Sequence, residues 1–227
     1  NWGMLLKEAT LKEPSYHAFL RDVLKQEYMA KKERTRLWRI KMANIEEPYV
    51  METYPFQKQS NLPKNKIMEC YDSFDYIKEK QNMVFIGPTG CGKTGLATSF
   101  LIHAINHGYN GFFIRFPDLI DKLYESIADH SSQKLLKEFQ SYACLVVDEV
   151  GYVPIVPEQA GLFFTLMRKR HKKKTTIVTS QLGFEEWNGF FKNGHLAAAL
   201  LDSLTENCYI FNMKKCTSIR PKGLPAK

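Results

Sequence analysis

The chain lacks several features that would place it in common protein classes. None of its apolar runs reaches about 18 residues without a charge, which excludes a membrane-spanning helix. Its five cysteines form no CxxC pair, which argues against a disulfide framework and a zinc site and indicates a reducing compartment. No signal-peptide pattern opens the chain. We therefore expect a cytoplasmic protein with no membrane partner.

The composition is nevertheless that of a folded protein. Of the 227 residues, 44% are hydrophobic and 13% are aromatic, which excludes a disordered chain. This length accommodates one large domain, or one domain with a smaller appendage.

The net charge of +8 is unevenly distributed along the chain. Residues 21–41, 168–174 and 207–227 carry net charges of +5, +6 and +5, so the remainder carries −8. Concentrated Lys and Arg favour a polyanionic partner such as a nucleic acid, because each phosphate contact releases condensed counterions. A solvated helix face or a solubilising tail would give the same pattern.

The sequence divides into three parts. Residues 1–43 form a basic N-terminal region, in which we predict an amphipathic helix over 15–42 with Ser15 as its N-cap. Residues 44–65 are interrupted by three prolines and are predicted to be an ordered linker with little regular structure.

The third part, residues 66–227, is predicted to be a single nucleotide-binding domain. From residue 83 onward, strand patterns alternate with helix patterns, which indicates a parallel, doubly wound α/β sheet. The five predicted strands are residues 83–86, 111–116, 143–147, 175–179 and 208–212.

A glycine-rich segment matches the phosphate-binding loop G-x-x-x-x-G-K-[ST]. Its glycines allow backbone N–H groups to surround a phosphate, Lys93 would contact the β- and γ-phosphates of ATP, and the Thr94 hydroxyl would bind Mg²⁺. The strand before it and the helix after it are the required context. The predicted nucleotide-binding residues are Gly87, Pro88, Thr89, Gly90, Cys91, Gly92, Lys93 and Thr94.

Two carboxylates end a buried strand 54 residues after Thr94. Strands of a parallel sheet end at the same edge, so Asp148 and Glu149 would lie beside the phosphate loop. We predict that Asp148 holds Mg²⁺ and that Glu149 polarises the attacking water. In isolation, a solvated acid pair would look the same.

Two further positions are open to more than one interpretation. If the strand over 176–181 lies between the other two, Ser180 or Gln181 at its tip could sense the γ-phosphate. An ordinary polar turn would give the same pattern. Arg220 could reach back to the phosphates, or it could be one more residue of a basic tail.

With these motifs in place, the chain resembles the IstB family of AAA+ ATPases, the transposase helpers of insertion sequences, which are related to the DnaC and DnaI helicase loaders. The Gly-Tyr-x-Pro and Phe-x-x-Trp elements favour the IstB family over the loaders. The resemblance rests on Tyr16-x-x-Phe19-Leu20 with Glu27, Asp148-Glu-Val-Gly151-Tyr152-x-Pro154, Phe184-x-x-Trp187, Leu196–Asp202 and Ser218-Ile-Arg220.

The resemblance implies a P-loop AAA+ domain with a central five-stranded parallel sheet flanked by helices, preceded by a small helical region. It implies that ATP drives assembly of a ring or spiral on duplex DNA. This assembly remodels the DNA and recruits a cognate transposase, and hydrolysis disassembles it. The implied catalytic residues are Glu149, Lys93 and the sensor Gln181, with Arg220 as a second sensor of bound nucleotide.

Two other functions remain open. The first is a helicase loader acting on single-stranded DNA, which would be favoured by an exposed aromatic stacking platform drawn from Tyr16, Phe19, Trp38 and Tyr49. The second is a nucleotide-gated DNA scaffold with negligible turnover. Glu149 argues against this function, because a pure scaffold needs no acid that activates water.

The chain departs from the family at two positions. The family usually has Asn where this chain has Gln181, and Asp-Arg-Leu where it has Asp202-Ser203-Leu204. The missing arginine is the expected finger that acts on the neighbouring subunit. Arg168 or Arg170 could substitute for the missing finger. ATP turnover that does not change with protein concentration, and that Arg168→Ala and Arg170→Ala leave unchanged, would contradict this substitution. The candidate DNA contacts are Lys31, Lys32, Arg34, Arg36, Arg39, Lys41, Arg168 and Arg170.

Overall fold

The computed structural model describes residues 14–219 continuously, together with residues 3, 7 and 10–12. The predicted strands and helices are confirmed within a few residues, and the largest difference is a strand that continues past Glu149. The elements are α1 Tyr16–Met42, α2 Lys64–Ser73, α3 Asp75–Lys78, β1 Asn82–Ile86, α4 Lys93–Asn106, β2 Gly111–Arg115, α5 Phe116–Ala128, α6 Ser132–Ser141, β3 Cys144–Val150, α7 Pro157–Arg170, β4 Thr175–Ser180, α8 Phe184–Phe191, α9 Gly194–Thr205 and β5 Cys208–Asn212.

The five strands form one parallel sheet in the order β2-β3-β4-β1-β5. The predicted fold class, a parallel five-stranded α/β sheet flanked by helices, is therefore confirmed. Strand β4 lies between β3 and β1, as the proposed sensor role of its tip requires. Because all strands run the same way, the segments that follow β1, β3 and β4 meet at the carboxyl edge of the sheet.

Each face of the sheet is covered by its own apolar core. Successive residues of β1 alternate between the faces, as strand geometry requires: Phe85 belongs to the same core as Phe100 of α4, whereas Val84 belongs to the other core, with Phe163 of α7. All four side chains are fully buried. The sheet is therefore a rigid platform for the loops at its edges.

Helix α1 begins as predicted, with the Ser15 hydroxyl accepting a hydrogen bond from the Ala18 N–H at 3.3 Å. None of its 27 residues is buried. Its C-terminal half is fixed to the domain, because Arg36 donates to the side chain of Asn106 and Arg39 donates to the Gly108 carbonyl. Among the helices that the structure describes, none is long and apolar enough to cross a membrane.

The segment between α1 and α2 packs against the domain. It contains two short 3₁₀ turns, Met51–Thr53 and Phe56–Lys58, and it buries Met51, Gln59 and Leu62. It therefore contributes to the folded core, although little of it is regular. The domain boundary near residue 65 stays a prediction.

One predicted DNA-binding residue lies inside the protein. Arg170, the last residue of α7, is 1% exposed. The predictions that it contacts DNA or replaces the missing finger are wrong, because burial and internal hydrogen bonds occupy its guanidinium. It donates to the Thr176 hydroxyl at 3.0 Å and to the carbonyls of Phe139, Tyr142 and Thr175 at 2.6, 2.9 and 2.5 Å.

Arg168, two residues earlier on the same helix, is exposed. The basic run that contains it precedes β4 and therefore lies at the amino edge of the sheet, opposite the phosphate loop. His171 in this run lies 2.7 Å from the carbonyl oxygen of Ser203, measured from Nδ1. Of the two arginines, only Arg168 stays a candidate for the finger and for DNA contact.

Candidate functional site

A cavity of about 540 Å³ opens at the carboxyl edge of the sheet. It is bounded by the phosphate loop, the ends of β3 and β4, and part of the segment between α1 and α2. Of the predicted nucleotide and metal residues, Thr89, Gly90, Gly92, Lys93, Thr94, Asp148, Glu149 and Gln181 line it. The structure thus brings together motifs that are about 90 residues apart in the chain.

The phosphate loop has the backbone conformation that its glycines permit. Gly90 and Gly92 have φ angles of +80° and +94°, in the left-handed region that favours glycine. A Cβ on Gly92 would lie 2.7 Å from the Tyr54 hydroxyl oxygen, so a side chain is excluded on both grounds. Helix α4 begins directly after Gly92, and its first N–H groups have no partner within the helix. Such a helix end favours an anion.

Lys93 lies across the loop. Its ammonium donates to the carbonyls of Gly87 at 2.7 Å and Pro88 at 2.9 Å. Both are neutral acceptors, and hydrogen bonds from an ammonium to an ionised phosphate are stronger. The lysine is therefore held where it can contact a phosphate in the loop.

The Thr94 hydroxyl lies against the Asp148 carboxylate, 3.1 and 3.0 Å from its two oxygens. Hydroxyl and carboxylate oxygens are the ligands that Mg²⁺ prefers, and adjacent ligands of an octahedral ion with bonds of about 2.1 Å are about 3 Å apart. The pair therefore fits a magnesium site that would use both residues.

Asp148 is 2% exposed. Burial raises the pKa of its carboxyl above the ordinary value. Hydrogen bonds from Thr179 and Thr94 lower that pKa, as do the positive charges of Lys93 and Arg115. A divalent cation at this position would further favour the ionised form.

Thr179 of β4 is a site residue that the sequence reasoning missed. Its hydroxyl donates to Asp148 Oδ1 and accepts the backbone N–H of Glu149 at 3.0 Å. One side chain thus fixes both members of the acid pair. The only sequence signal was a hydroxyl residue near the end of a buried strand.

Glu149 has a φ of +63°, which is unusual for a residue other than glycine. The pairing of β3 with β4 shifts register between Val147 and Val150, which is the signature of a β-bulge. The bulge removes Glu149 from the alternation of the strand, and its exposed side chain lines the cavity. Strained backbone of this kind is concentrated at functional sites.

At the tip of β4, the structure separates the two candidate sensors. Ser180 is fully buried, and its hydroxyl donates to the Val150 carbonyl at 2.8 Å, so it is occupied within the fold. Gln181 lines the cavity, where the Thr89 hydroxyl lies 3.4 Å from its Oε1 atom. Arg220 lies outside the described residues.

The segment predicted to be a linker forms one wall of the cavity. Tyr49, Val50, Tyr54 and Pro55 line it, together with Ile219 from the C-terminal segment. Apolar and aromatic side chains of this kind suit the base of a nucleotide. The sequence predicted an ordered linker here, and its three prolines gave no signal that the segment would line a nucleotide cavity.

The Arg115 side chain, which also lines the cavity, forms an ion pair with Glu46 of the same segment. Arg115 ends β2 and lies opposite Asp148 in the pairing of β2 with β3. The ion pair therefore connects the segment to the strand next to the acid pair.

Comparison with known proteins gives consistent matches along the chain. A family model described as "IstB-like ATP binding protein" matches residues 2–223. The chain is 32% identical to an ATP-binding protein of insertion sequence IS5376 from Geobacillus stearothermophilus, across 94% of this chain and 84% of the relative. It is 30% identical to an ATP-binding protein of insertion sequence IS21 from Pseudomonas aeruginosa, across 92% of this chain and 79% of the relative.

Solved structures share the fold. The DnaC helicase loader matches with a TM-score of 0.56 and 22% identity, over 66% of this chain and 87% of the loader. A DNA replication initiation factor matches with a TM-score of 0.60 and 17% identity, over 73% of this chain. The match covers 49% of that factor's length. At these identities the likeness shows a shared fold and nothing beyond it.

Proposed function

Because the chain belongs to the family of IstB-like ATP-binding proteins, we propose that it is an ATP-dependent DNA-binding helper of transposition. It assembles as a ring or spiral on duplex DNA, remodels the DNA and recruits or activates a cognate transposase. ATP hydrolysis controls disassembly. The observation that carries the proposal is the contact between Thr94 and Asp148 beside Lys93, with Glu149 facing the same cavity.

The residues of the cavity have separate roles in hydrolysis. Lys93 and the loop N–H groups bind the phosphates, and Thr94 with Asp148 would hold Mg²⁺, which neutralises charge on the transferred phosphoryl group. Glu149 orients the attacking water and accepts its proton. Gln181 donates its amide to the γ-phosphate, and this contact distinguishes ATP from ADP.

The basic face of α1 is the proposed DNA surface. Three of its six candidate cations are occupied: Arg34 pairs with Glu27, Arg36 pairs with Glu33, and Arg39 donates to the Gly108 carbonyl. The other three are exposed and have no ion pair with any residue that the structure describes. These are Lys31, Lys32 and Lys41.

The experiment that tests DNA binding is the salt dependence of affinity for a duplex in the presence of ATP. Each phosphate contact contributes about −0.9 to the slope of log K against log salt. Replacing the three free lysines of α1 by Gln is expected to make the slope less steep by up to about 2.7. The control replaces Lys122, Lys134 and Lys137 by Gln, the same charge change on α5 and α6. A flat profile for the parent protein, or equal effects of both triple variants, would contradict this surface.

A helicase loader is the alternative function, and the arrangement of the aromatic residues argues against it. Tyr16 and Trp38 are exposed on α1, but they are 22 positions apart, which corresponds to about 33 Å of helix. Tyr49 lines the nucleotide cavity instead. Tyr16, Trp38 and Tyr49 therefore do not form one stacking platform. Tighter binding to a single strand than to a duplex of equal length, in the same ATP-containing buffer, would favour the loader.

A further inference from the structure

Gln59 is a buried amide between the phosphate loop and the C-terminal segment. It is 3% exposed. Its Nε2 atom donates to the carbonyls of Cys91 at 3.1 Å and Thr217 at 2.6 Å, and its Oε1 atom accepts the Thr217 N–H at 3.2 Å. A residue that only linked two elements of the fold would not need a buried amide with three hydrogen bonds. This side chain therefore joins three separate parts of the chain at one point behind the loop.

The Cys91 carbonyl has a second donor, the Tyr54 hydroxyl at 3.1 Å. The preceding carbonyl, that of Gly90, accepts the N–H of Ile219 at 2.9 Å. Two successive carbonyls of the phosphate loop are thus held from outside, one by the segment before α2 and one by the segment after β5. The loop is therefore supported by two segments that lie outside the G-x-x-x-x-G-K-[ST] motif.

The orientation of these carbonyls determines where the loop N–H groups point. A trans peptide is planar, and its C=O and N–H groups point in opposite directions. The carbonyl of Cys91 shares a peptide with the N–H of Gly92. Because Gln59 and Tyr54 hold this carbonyl, they also fix the direction of the Gly92 N–H, which lies at the N-terminus of α4.

We propose that Gln59, together with the Tyr54 hydroxyl, is a positioning residue for nucleotide binding. The pair fixes the peptide plane between Cys91 and Gly92, so that the Gly92 N–H is aimed at the phosphates before the nucleotide arrives. Preorganised donors bind an anion more tightly because no reorientation has to accompany binding. The inference rests on the proposed function only in that the loop binds ATP and ADP.

The test measures ADP affinity by titration calorimetry with Mg²⁺, and thermal unfolding without nucleotide. Gln59→Met removes the amide and keeps the side-chain length, and Tyr54→Phe removes only a hydroxyl. The matched control is Asn61→Ala, which removes the 3.1 Å bond from Asn61 to the Lys215 carbonyl. That bond joins the same two segments without touching the loop.

Gln59→Met is expected to weaken ADP binding about tenfold and Tyr54→Phe about threefold, in line with the net effect of single hydrogen bonds. The double variant should lose more than the product of the two, because each donor holds the carbonyl when the other is absent. Unfolding temperatures should show no such coupling. Asn61→Ala should stay within about twofold of the parent protein.

Parent-like ADP affinity in the double variant, or an equal loss in Asn61→Ala, would overturn the inference. If Gln59→Met does not fold, Tyr54→Phe decides, because unchanged affinity there would also overturn it. Failure of the parent protein to bind ADP would instead contradict the proposed function. The two failures are therefore distinguishable in one set of titrations.

Discussion

Glu149→Gln is expected to lower the turnover number for ATP hydrolysis by at least about 10²-fold, while ATP affinity stays within about threefold of the parent protein. A positioned general base contributes about 10²–10⁴-fold, and an amide of the same size cannot accept the proton from water. The substitution leaves the backbone N–H bond to Thr179 in place. The β-bulge at this position is therefore expected to persist.

The measurement is phosphate release at saturating ATP with duplex DNA present, together with a separate titration of ATP affinity. The control is Glu158→Gln, an exposed carboxylate in the first turn of α7 that does not line the cavity. Glu158→Gln should keep the parent turnover number. A Glu149→Gln turnover number within about threefold of the parent value would show that another group activates the water.

Arg170→Met is expected to lower the free energy of unfolding by about 3–5 kcal/mol, because two buried carbonyls, one partly buried carbonyl and one buried hydroxyl lose their donor together. Burial lowers the pKa of Arg170 to about 10, so its guanidinium is still charged near neutral pH. Its planar group bonds in several directions at once and connects α6, α7 and β4. The loss should therefore destabilise the whole domain.

Urea unfolding of the two arginine variants of α7 tests this expectation. Arg168→Met removes an equal charge two residues away from an exposed position, so it should change the free energy of unfolding by less than about 0.5 kcal/mol. Equal midpoints for the two variants would contradict the structural role assigned to Arg170.

The parts of the fold that short sequence patterns encode were predictable. The phosphate loop, the strand before it and the helix after it lie within about 25 consecutive residues, and each has a local signature. Ser15 was predicted as an N-cap for the same reason, since a capping hydroxyl contacts an N–H only three residues away. The sheet order also brought the predicted acid pair to the loop.

Features that depend on contacts between distant segments were not predictable. In the sequence, Arg168 and Arg170 belong to one basic run, and only the packing of α6 and β4 around α7 shows that one of them is buried. Thr179 and the bulge at Glu149 depend on the register of two strands about 30 residues apart. Gln59 gave no signal, because its partners are 32 and 158 residues away.

The most direct test of the proposed function is sedimentation of the protein with duplex DNA in the presence of ATP, of ADP and of no nucleotide, with Lys93→Ala as the control variant. We expect large protein–DNA assemblies with ATP, their absence with ADP, and none from Lys93→Ala in any condition. A protein that sediments as a monomer with ATP and DNA would contradict an ATP-controlled assembly on DNA. Assemblies that form equally well with Lys93→Ala would contradict it as well.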